Sequence, residues 1–313
     1  MPQFVIHTVI KLLRERKGYT QASLCQAICS KEQMYRIEKG LHRPSYTVFK
    51  MLMERLEENP DKYYTDIVTA DRKEIMEQKD EILGMLRKKD PDEDLKAEKI
   101  VKRLEKAGKH RKNILDRQFL YRARATIAGH KKEWQAMYDY AFEGLNLTIK
   151  DFKEDEIDQS VISFDEIHLI NQLATARNFL SPDLEAATNI YARLKTTLDY
   201  GYLEGDEMSG IYFNLLYNLS KNLGLLKRYE ESITLCDEGI ERCLNQKEAL
   251  CYPLFLINKA CGVLHLGEEK EGVRILRDAH ALLSIYKRYN ELNTLENFIE
   301  SDFGIKPDLY RYV

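Results

Sequence analysis

The apolar positions of this chain recur at the spacing of a helix from one end to the other. Between Val5 and Arg16 they fall at 5, 6, 9, 10, 12 and 13, one face of a helical period, and Lys17-Gly18 ends the run. Thr20 is a good N-cap for a second helix, Gln21 to Ile28, with Leu24, Cys25 and Ile28 inward. A very short turn at Cys29-Ser30 follows. The string Ser30-Lys31-Glu32-Gln33 fits a capping box, in which the Ser30 hydroxyl accepts from the amide of residue 33 and Gln33 reaches back. A third helix then runs to Lys39, where Gly40 supplies a left-handed stop. Arg43-Pro44-Ser45 leads into a fourth helix, Tyr46 to Leu56, capped by Ser45 and packing through Val48, Leu52 and Leu56.

From Asp61 onward no strand pattern is visible, and helical stretches alternate with short breaks. The expected helices are Tyr64 to Lys89 and Asp94 to Ala107, then Asn113 to Ala128 and Glu133 to Leu147, joined at Gly129-His130. Phe164 to Phe179 pairs with Leu184 to Asp199, Glu207 to Leu225 with Tyr229 to Asn245, and Tyr252 to Leu266 with Glu268 to Tyr286. A last helix covers Glu291 to Ile299. The later pairs repeat: Asn218-x-Ser220-x-x-Leu223 overlays Asn258-x-Ala260-x-x-Val263 at an offset of 40, and Leu226 falls on Leu266. At an offset of 95, Trp134 and Glu143-Gly144-Leu145 fall on Tyr229 and Glu238-Gly239-Ile240. Recurring helical hairpins with a small residue where two helices cross point to an α-solenoid; a generic helical bundle is the alternative.

Composition narrows the class. With 313 residues, 44% hydrophobic and 32% charged, the chain can build a substantial core, and its length fits about two domains. Gly (15) and Pro (7) are scarce, which favours helices over a many-turned sandwich. No apolar run approaches the roughly 20 residues that span a bilayer, and Met1 to Arg16 lacks the features of a signal peptide. Six cysteines, at 25, 29, 236, 243, 251 and 261, form no C-x-x-C and read as reduced thiols of a cytoplasmic protein. No metal and no cofactor are expected. The net charge of -3 hides an asymmetry, because residues 1–57 carry +5 and the remainder -8. A basic head on an acidic body means that only the head meets phosphate.

Two helices joined by a tight turn, the second well capped, form the helix-turn-helix pattern. On the third helix Met34 and Ile37 must face the core, about 60° apart at helical spacing. Opposite them point Glu32, Arg36 and Lys39, flanked by Tyr35, Lys31 and Gln33. Arg forks to guanine, Gln to adenine, and Glu accepts from cytosine. Taken alone, such a helix is equally compatible with an ordinary solvated face.

The string Tyr19-Thr20-Gln21-x-x-Leu24, Ile28-Cys29-Ser30, Tyr35-Arg36-Ile37-Glu38-Lys39-Gly40 and Arg43-Pro44-Ser45 resembles the phage-repressor (Xre/Cro) helix-turn-helix over about 50 residues. Its turn is one residue shorter than the commonest version. The resemblance implies that Gln21 and the second helix's amides hold phosphate, and that Lys31, Glu32 and Arg36 face bases. Gln33 and Tyr35 lie beside them, and Lys39, His42 and Arg43 touch the backbone. Glu38 would tie the domain together.

In the body, Leu223-Gly224-x-x-x-x-Tyr229-Glu230-Glu231-Ser232-Ile233 resembles a tetratricopeptide repeat of elongated period. The expected fold is therefore all-α, a helix-turn-helix domain (residues 1–66) followed by about five degenerate tetratricopeptide-like hairpins (67–313). The first helices of such hairpins line a groove. Asn214, Tyr217, Asn218 and Lys221 recur at i, i+3, i+4 and i+7, opposite Leu215, Leu219, Leu223 and Leu226. His168, Asn171, Thr175 and Asn178 form a similar stripe, and Asn258 continues it. An Asn ladder can pair with the amides of an extended peptide, and Arg122, Arg124 or Arg177 can take its carboxylate; each stripe also reads as an ordinary wet helix face.

Head and body together resemble the RRNPP (Rgg/PlcR/PrgX) peptide-pheromone regulators, most of all the PlcR-like members. That resemblance implies a cytoplasmic homodimer that binds duplex DNA at an inverted repeat and is switched by a short signalling peptide in the groove. A scaffold or protein-binding regulator without a peptide is the alternative function. No nucleotide-binding, zincin or nucleophile-elbow motif is present, and the seven His are scattered, so no enzymatic activity is expected. The C-terminal hairpins, through Leu282, Leu283 and Leu295, are the expected dimer surface.

Overall fold

The computed structural model describes residues 3–63, 70–106, 113–180, 183–246 and 249–311. Four short helices form the head: α1 (Ile6–Arg16), α2 (Gln21–Cys25), α3 (Lys31–Glu38) and α4 (Tyr46–Arg55). Val9, Ile10, Leu13, Leu24, Met34, Ile37, Phe49, Leu52, Met53 and Leu56 close its core. Helix starts follow the expected caps. Thr20 and Ser23 cap each other reciprocally, Ser30 accepts from the Gln33 amide at 3.1 Å, and Ser45 accepts from that of Val48.

Helix α2 stops three residues earlier than its apolar pattern predicts. The cause is distant in sequence: the Arg55 guanidinium donates to the Leu24 carbonyl at 2.8 Å and to that of Gln26 at 2.5 Å. Ala27 then turns left-handed, at φ 59°. Gly40, at φ 70°, is the stop predicted for α3; a Cβ there would also press on the His7 ring at 3.2 Å.

Eleven helices follow among the described residues. They are α5 (Ala70–Leu86), α6 (Pro91–Lys106), α7 (Ile114–His130), α8 (Trp134–Asn146), α9 (Phe164–Leu180), α10 (Leu184–Leu198), α11 (Asp206–Leu225), α12 (Tyr229–Gln246), α13 (Tyr252–His265), α14 (Glu269–Ile285) and α15 (Tyr289–Phe303). The all-α class and the hairpin body stand. The expected domain boundary at residue 66 and the helix start at Tyr64 lie outside the described residues. The chain divides into two compact units, Met1–Met208 and Ser209–Val313.

One local device repeats through the hairpins. Lys132, Lys227, Gly267 and Lys287 all take left-handed backbone, at φ 60°, 61°, 85° and 56°. At each, the next amide returns to a carbonyl five residues back: Glu133 to Ala128, Arg228 to Leu223, Glu268 to Val263 and Arg288 to Leu283. These are helix-terminating Schellman turns. Lys132, Lys227 and Gly267 stand 95 and 40 residues apart, so the offsets visible in the sequence are the spacing of this turn.

The break expected at Gly129-His130 falls later, at Lys131-Lys132. Gly129 stays helical and lets Met137 approach; a Cβ there would meet its sulfur at 3.0 Å. Gly239 likewise lets Phe255 pack α13 onto α12, where a Cβ would lie 2.5 Å from the ring.

Two expectations are corrected. The chain does contain a strand pairing, a two-residue antiparallel bridge between β1 (Gln3–Phe4) and β2 (Leu203–Glu204). Two residues are too few to leave a periodic signature. Leu283 and Leu295 do not form a surface, because they are buried in the core of the second unit, with Leu282 packed against it. All six cysteines are free thiols, and burial pushes those of Cys236 and Cys261 up to about 12.

A candidate nucleic-acid interface and the polar faces of the repeats

Helix α3 has two faces with separate duties. Its inner side buries Met34 and Ile37, and with them Glu38. The Glu38 carboxylate accepts from Arg14 Nε at 2.5 Å and Nη2 at 3.0 Å, and from Gln21 Nε2 at 2.6 Å. Arg14 also donates to the Tyr19 carbonyl, and the Glu38 carboxylate raises the pKa of its guanidinium. One buried carboxylate thus ties α1, α2 and α3 together. Gln21, expected from the resemblance to hold phosphate, is half-buried and spends one amide hydrogen on this carboxylate.

The outer side of α3 carries Lys31, Glu32, Tyr35 and Arg36, all exposed, with Lys39 just past its end; Gln33 is half-buried. Tyr35 is 49% exposed and has the Lys39 ammonium 5.9 Å from its ring centre. His42 and Arg43 are exposed in the following loop and line a small open cleft with Phe4, Ile6, His7, Gly40 and Pro44. The residues expected to meet DNA, Gln21 apart, therefore lie on α3 and the loop behind it.

A helix-turn-helix family model matches residues 8–62. The head is a helix-turn-helix domain. A search of curated proteins by sequence finds no match. Among solved structures, PlcR of Bacillus thuringiensis in complex with the peptide PapR7 and DNA aligns at a TM-score of 0.56, with 19% identity, over 93% of this chain and 99% of that one. PlcR in its apo form aligns equally well, with 18% identity, over 92% and 98%. The competence regulator ComR of Streptococcus vestibularis, in complex with its signalling peptide XIP, aligns at 0.50 with 16% identity over 96% and 99%. The likeness extends over head and body, and at these identities it is a likeness of fold. No helix among the described residues is long and apolar enough to cross a membrane.

In the first unit the stripe on α9 is half-buried, not exposed. His168 packs edge-on against Phe164, and burial, followed by the charges of Arg122 and Arg87, holds its imidazole well below the ordinary pKa. Asn171 has a buried side-chain oxygen without a hydrogen-bond partner. Thr175 is engaged with the Asn171 carbonyl and the Tyr191 hydroxyl, and Asn178 is half-buried.

The three candidate cations are already engaged. Arg122 is buried and pairs with Asp165 at 2.6 Å, Arg124 pairs with Glu105, and Arg177 pairs with Glu154 at 2.9 Å. A peptide carboxylate would share its guanidinium with the acid already bound there. The sequence offered no sign of them, since the partners stand 19 to 43 residues away.

In the second unit Leu215, Leu219 and Leu223 are buried on α11, while Asn214 and Lys221 are exposed and Tyr217 and Asn218 half-buried. Burial raises the Tyr217 pKa. Asn258 is half-buried, and its amide donates to the Tyr217 carbonyl at 3.3 Å and to Ser220 Oγ at 3.0 Å, tying α13 to α11.

Proposed function

We propose that this protein is a transcription regulator that reads duplex DNA as a homodimer and answers to a short signalling peptide. One observation carries the DNA reading. A well-capped helix in a helix-turn-helix head exposes Lys31, Glu32 and Arg36, while Arg14, Gln21 and Glu38 hold it from the opposite side. A forked guanidinium and an ammonium that donate, beside a carboxylate that accepts, on a rigid helix suit base-edge recognition in a major groove. Each head reads one half-site, so two subunits bind an inverted repeat. PlcR, solved with a peptide and DNA, and ComR, solved with a signalling peptide, have the same order of head and helical body.

The peptide reading rests on the polar faces of the two units. Asn171 offers an unpartnered buried oxygen in the first. In the second, Asn218 and Asn214 make no side-chain hydrogen bond among the described residues. An extended peptide supplies the amides such groups lack. Because Arg122, Arg124 and Arg177 are paired, the backbone grip carries the affinity. The protein acts in the cytoplasm, where DNA and an imported peptide meet. Mobility-shift assays with the DNA upstream of its own gene test the first part: a discrete, competitor-resistant complex is expected, and binding no tighter than to random duplex overturns it. Mass spectrometry of material co-purified from the native host tests the second, with a defined short peptide expected.

A further inference from the structure

The head does not hang free of the first hairpins; it is fastened to them at three places within the first unit. At the front, β1 pairs with β2 and the Val5 amide donates to the Tyr202 carbonyl at 2.9 Å. Phe4 is lodged between two aromatic rings, Tyr63 at 5.0 Å edge-on and Tyr202 at 6.3 Å in parallel. In the middle, Arg16 donates to the Asp158 carbonyl at 3.0 Å and lies over the Tyr200 ring. At the exit from the head, Lys62 Nζ meets Glu166 Oε2 at 2.9 Å, with side chains 6% and 0% exposed.

Glu166 also accepts from Thr148 Oγ1 and from the Ser163 amide, both at 2.5 Å. The Tyr63 hydroxyl donates to Glu58 at 2.9 Å, and burial raises its pKa. A buried ammonium–carboxylate pair is weak as a source of stability, because desolvation offsets its attraction, but it defines one geometry sharply. None of these contacts touches the outer face of α3, where Lys31, Glu32, Tyr35 and Arg36 stay exposed.

We infer that Phe4, Lys62 and Glu166 are positioning residues for DNA recognition, a clasp that fixes the angle of the head on the hairpins of the first unit and so sets the half-site spacing the dimer accepts. A contact that covered the reading helix would silence it. A contact that leaves the helix open and fixes its orientation determines where the second head can land. The inference rests on the dimeric DNA reading proposed above. It gives the N-terminal residues 3–5 a part in half-site spacing although they face the body and lie away from the reading helix.

The test uses full-length protein: wild type, Lys62→Met, Lys62→Arg and Phe4→Ala. Amide hydrogen exchange, followed without DNA, reports whether the clasp is closed. Residues 3–9 and 58–63 should be protected in wild type and Lys62→Arg, and about 10-fold less protected in Lys62→Met and Phe4→Ala, with residues 31–38 unchanged. The second readout is binding to duplexes selected by the wild type from a random pool, rebuilt as single half-sites and as inverted pairs with spacers altered one base pair at a time. Wild type and Lys62→Arg should prefer one spacer by about 10-fold. Lys62→Met and Phe4→Ala should lose that preference while holding single half-sites within about twofold.

A merely structural role would lower binding to every duplex alike and leave the spacer preference intact, which overturns the inference. So does unchanged exchange at 3–9 and 58–63. If Lys62→Met does not fold, Phe4→Ala, at the opposite end of the clasp, decides. A wild type that is monomeric by light scattering, or that selects no duplex, sinks the DNA reading and the positioning role with it. Protected amides would then mark only a packing contact.

Discussion

The head and the repeat hairpins spend their charged side chains differently. In the head, the charges that hold the fold and the charges left exposed are separate sets on opposite faces of one helix. Arg14, Gln21 and Glu38 bind one another inside, while Lys31, Glu32 and Arg36 stay outside on the same helix. In the hairpins the candidate cations are themselves part of the fold. Arg122, Arg124 and Arg177 sit on candidate ligand-facing helices, yet each is bound to an acid of a neighbouring element. A substitution in the head can therefore remove recognition and leave the fold, or remove the fold and with it recognition. In the hairpins the two effects are mixed, except where a side chain such as Asn218 is not already engaged.

The sharpest break of this comparison is at Glu38. Glu38→Ala leaves Arg14 and Gln21 without their shared acceptor. It should cost about 2–3 kcal/mol, at the low end for a buried pair because Arg14 keeps an edge to water. Urea denaturation of the full chain followed by circular dichroism should show an early transition assignable to the head, with DNA binding lost in parallel. A fully stable Glu38→Ala would mean that the carboxylate does not tie the three helices.

Gly239→Ala is the counterpart in the second unit. The added methyl would stand 2.5 Å from the Phe255 ring, which is fully buried, and the repacking should cost about 1–3 kcal/mol. The melting temperature should fall while affinity for a single half-site is kept, since the change lies in the other unit.

The two asparagines sharpen the contrast within the hairpins. Asn218→Ala should weaken binding of the co-purified peptide by about 1–3 kcal/mol in calorimetry with little change in stability. Asn258→Ala should do the reverse, losing about 1 kcal/mol of stability by breaking its bonds to Tyr217 and Ser220. Equal peptide affinity in wild type and Asn218→Ala would place the ligand elsewhere. The smallest expected effect is a gain. Lys227→Gly relieves a left-handed lysine at φ 61° and should stabilise the second unit by about 0.5–1 kcal/mol. Thermal denaturation would show it as an upward shift of the melting temperature.

Helices were legible in the sequence because their signals are local. The starts at Gln21, Lys31, Tyr46, Phe164, Leu184, Tyr229 and Tyr252 follow from caps and apolar period alone. What escaped depended on residues far along the chain. The end of α2 is set by Arg55, and the pairing of β1 by residues 203–204, about 200 positions away. The hairpin turns were visible as a repeat distance but not as a conformation, because lysine gives no advance sign of left-handed backbone.

The candidate site divides in the same way. The outward residues of α3 could be read from helical phase and resemblance. The partners that commit Gln21, Arg122, Arg124, Arg177 and Asn258 could not, because each lies outside the helix that carries the residue. Physical pairing, rather than residue type, decides which polar side chains are left for a ligand.

The central claim is that the outer face of α3 reads base sequence, and Arg36→Ala tests it most directly. Its affinity should be compared with wild type on the selected duplex and on random duplex, at one fixed salt concentration. The account predicts a loss of about 1–3 kcal/mol on the selected duplex and a much smaller loss on random DNA, where phosphate contacts dominate. Equal losses on both duplexes would contradict it, and would make Arg36 a backbone contact on a helix that does not read.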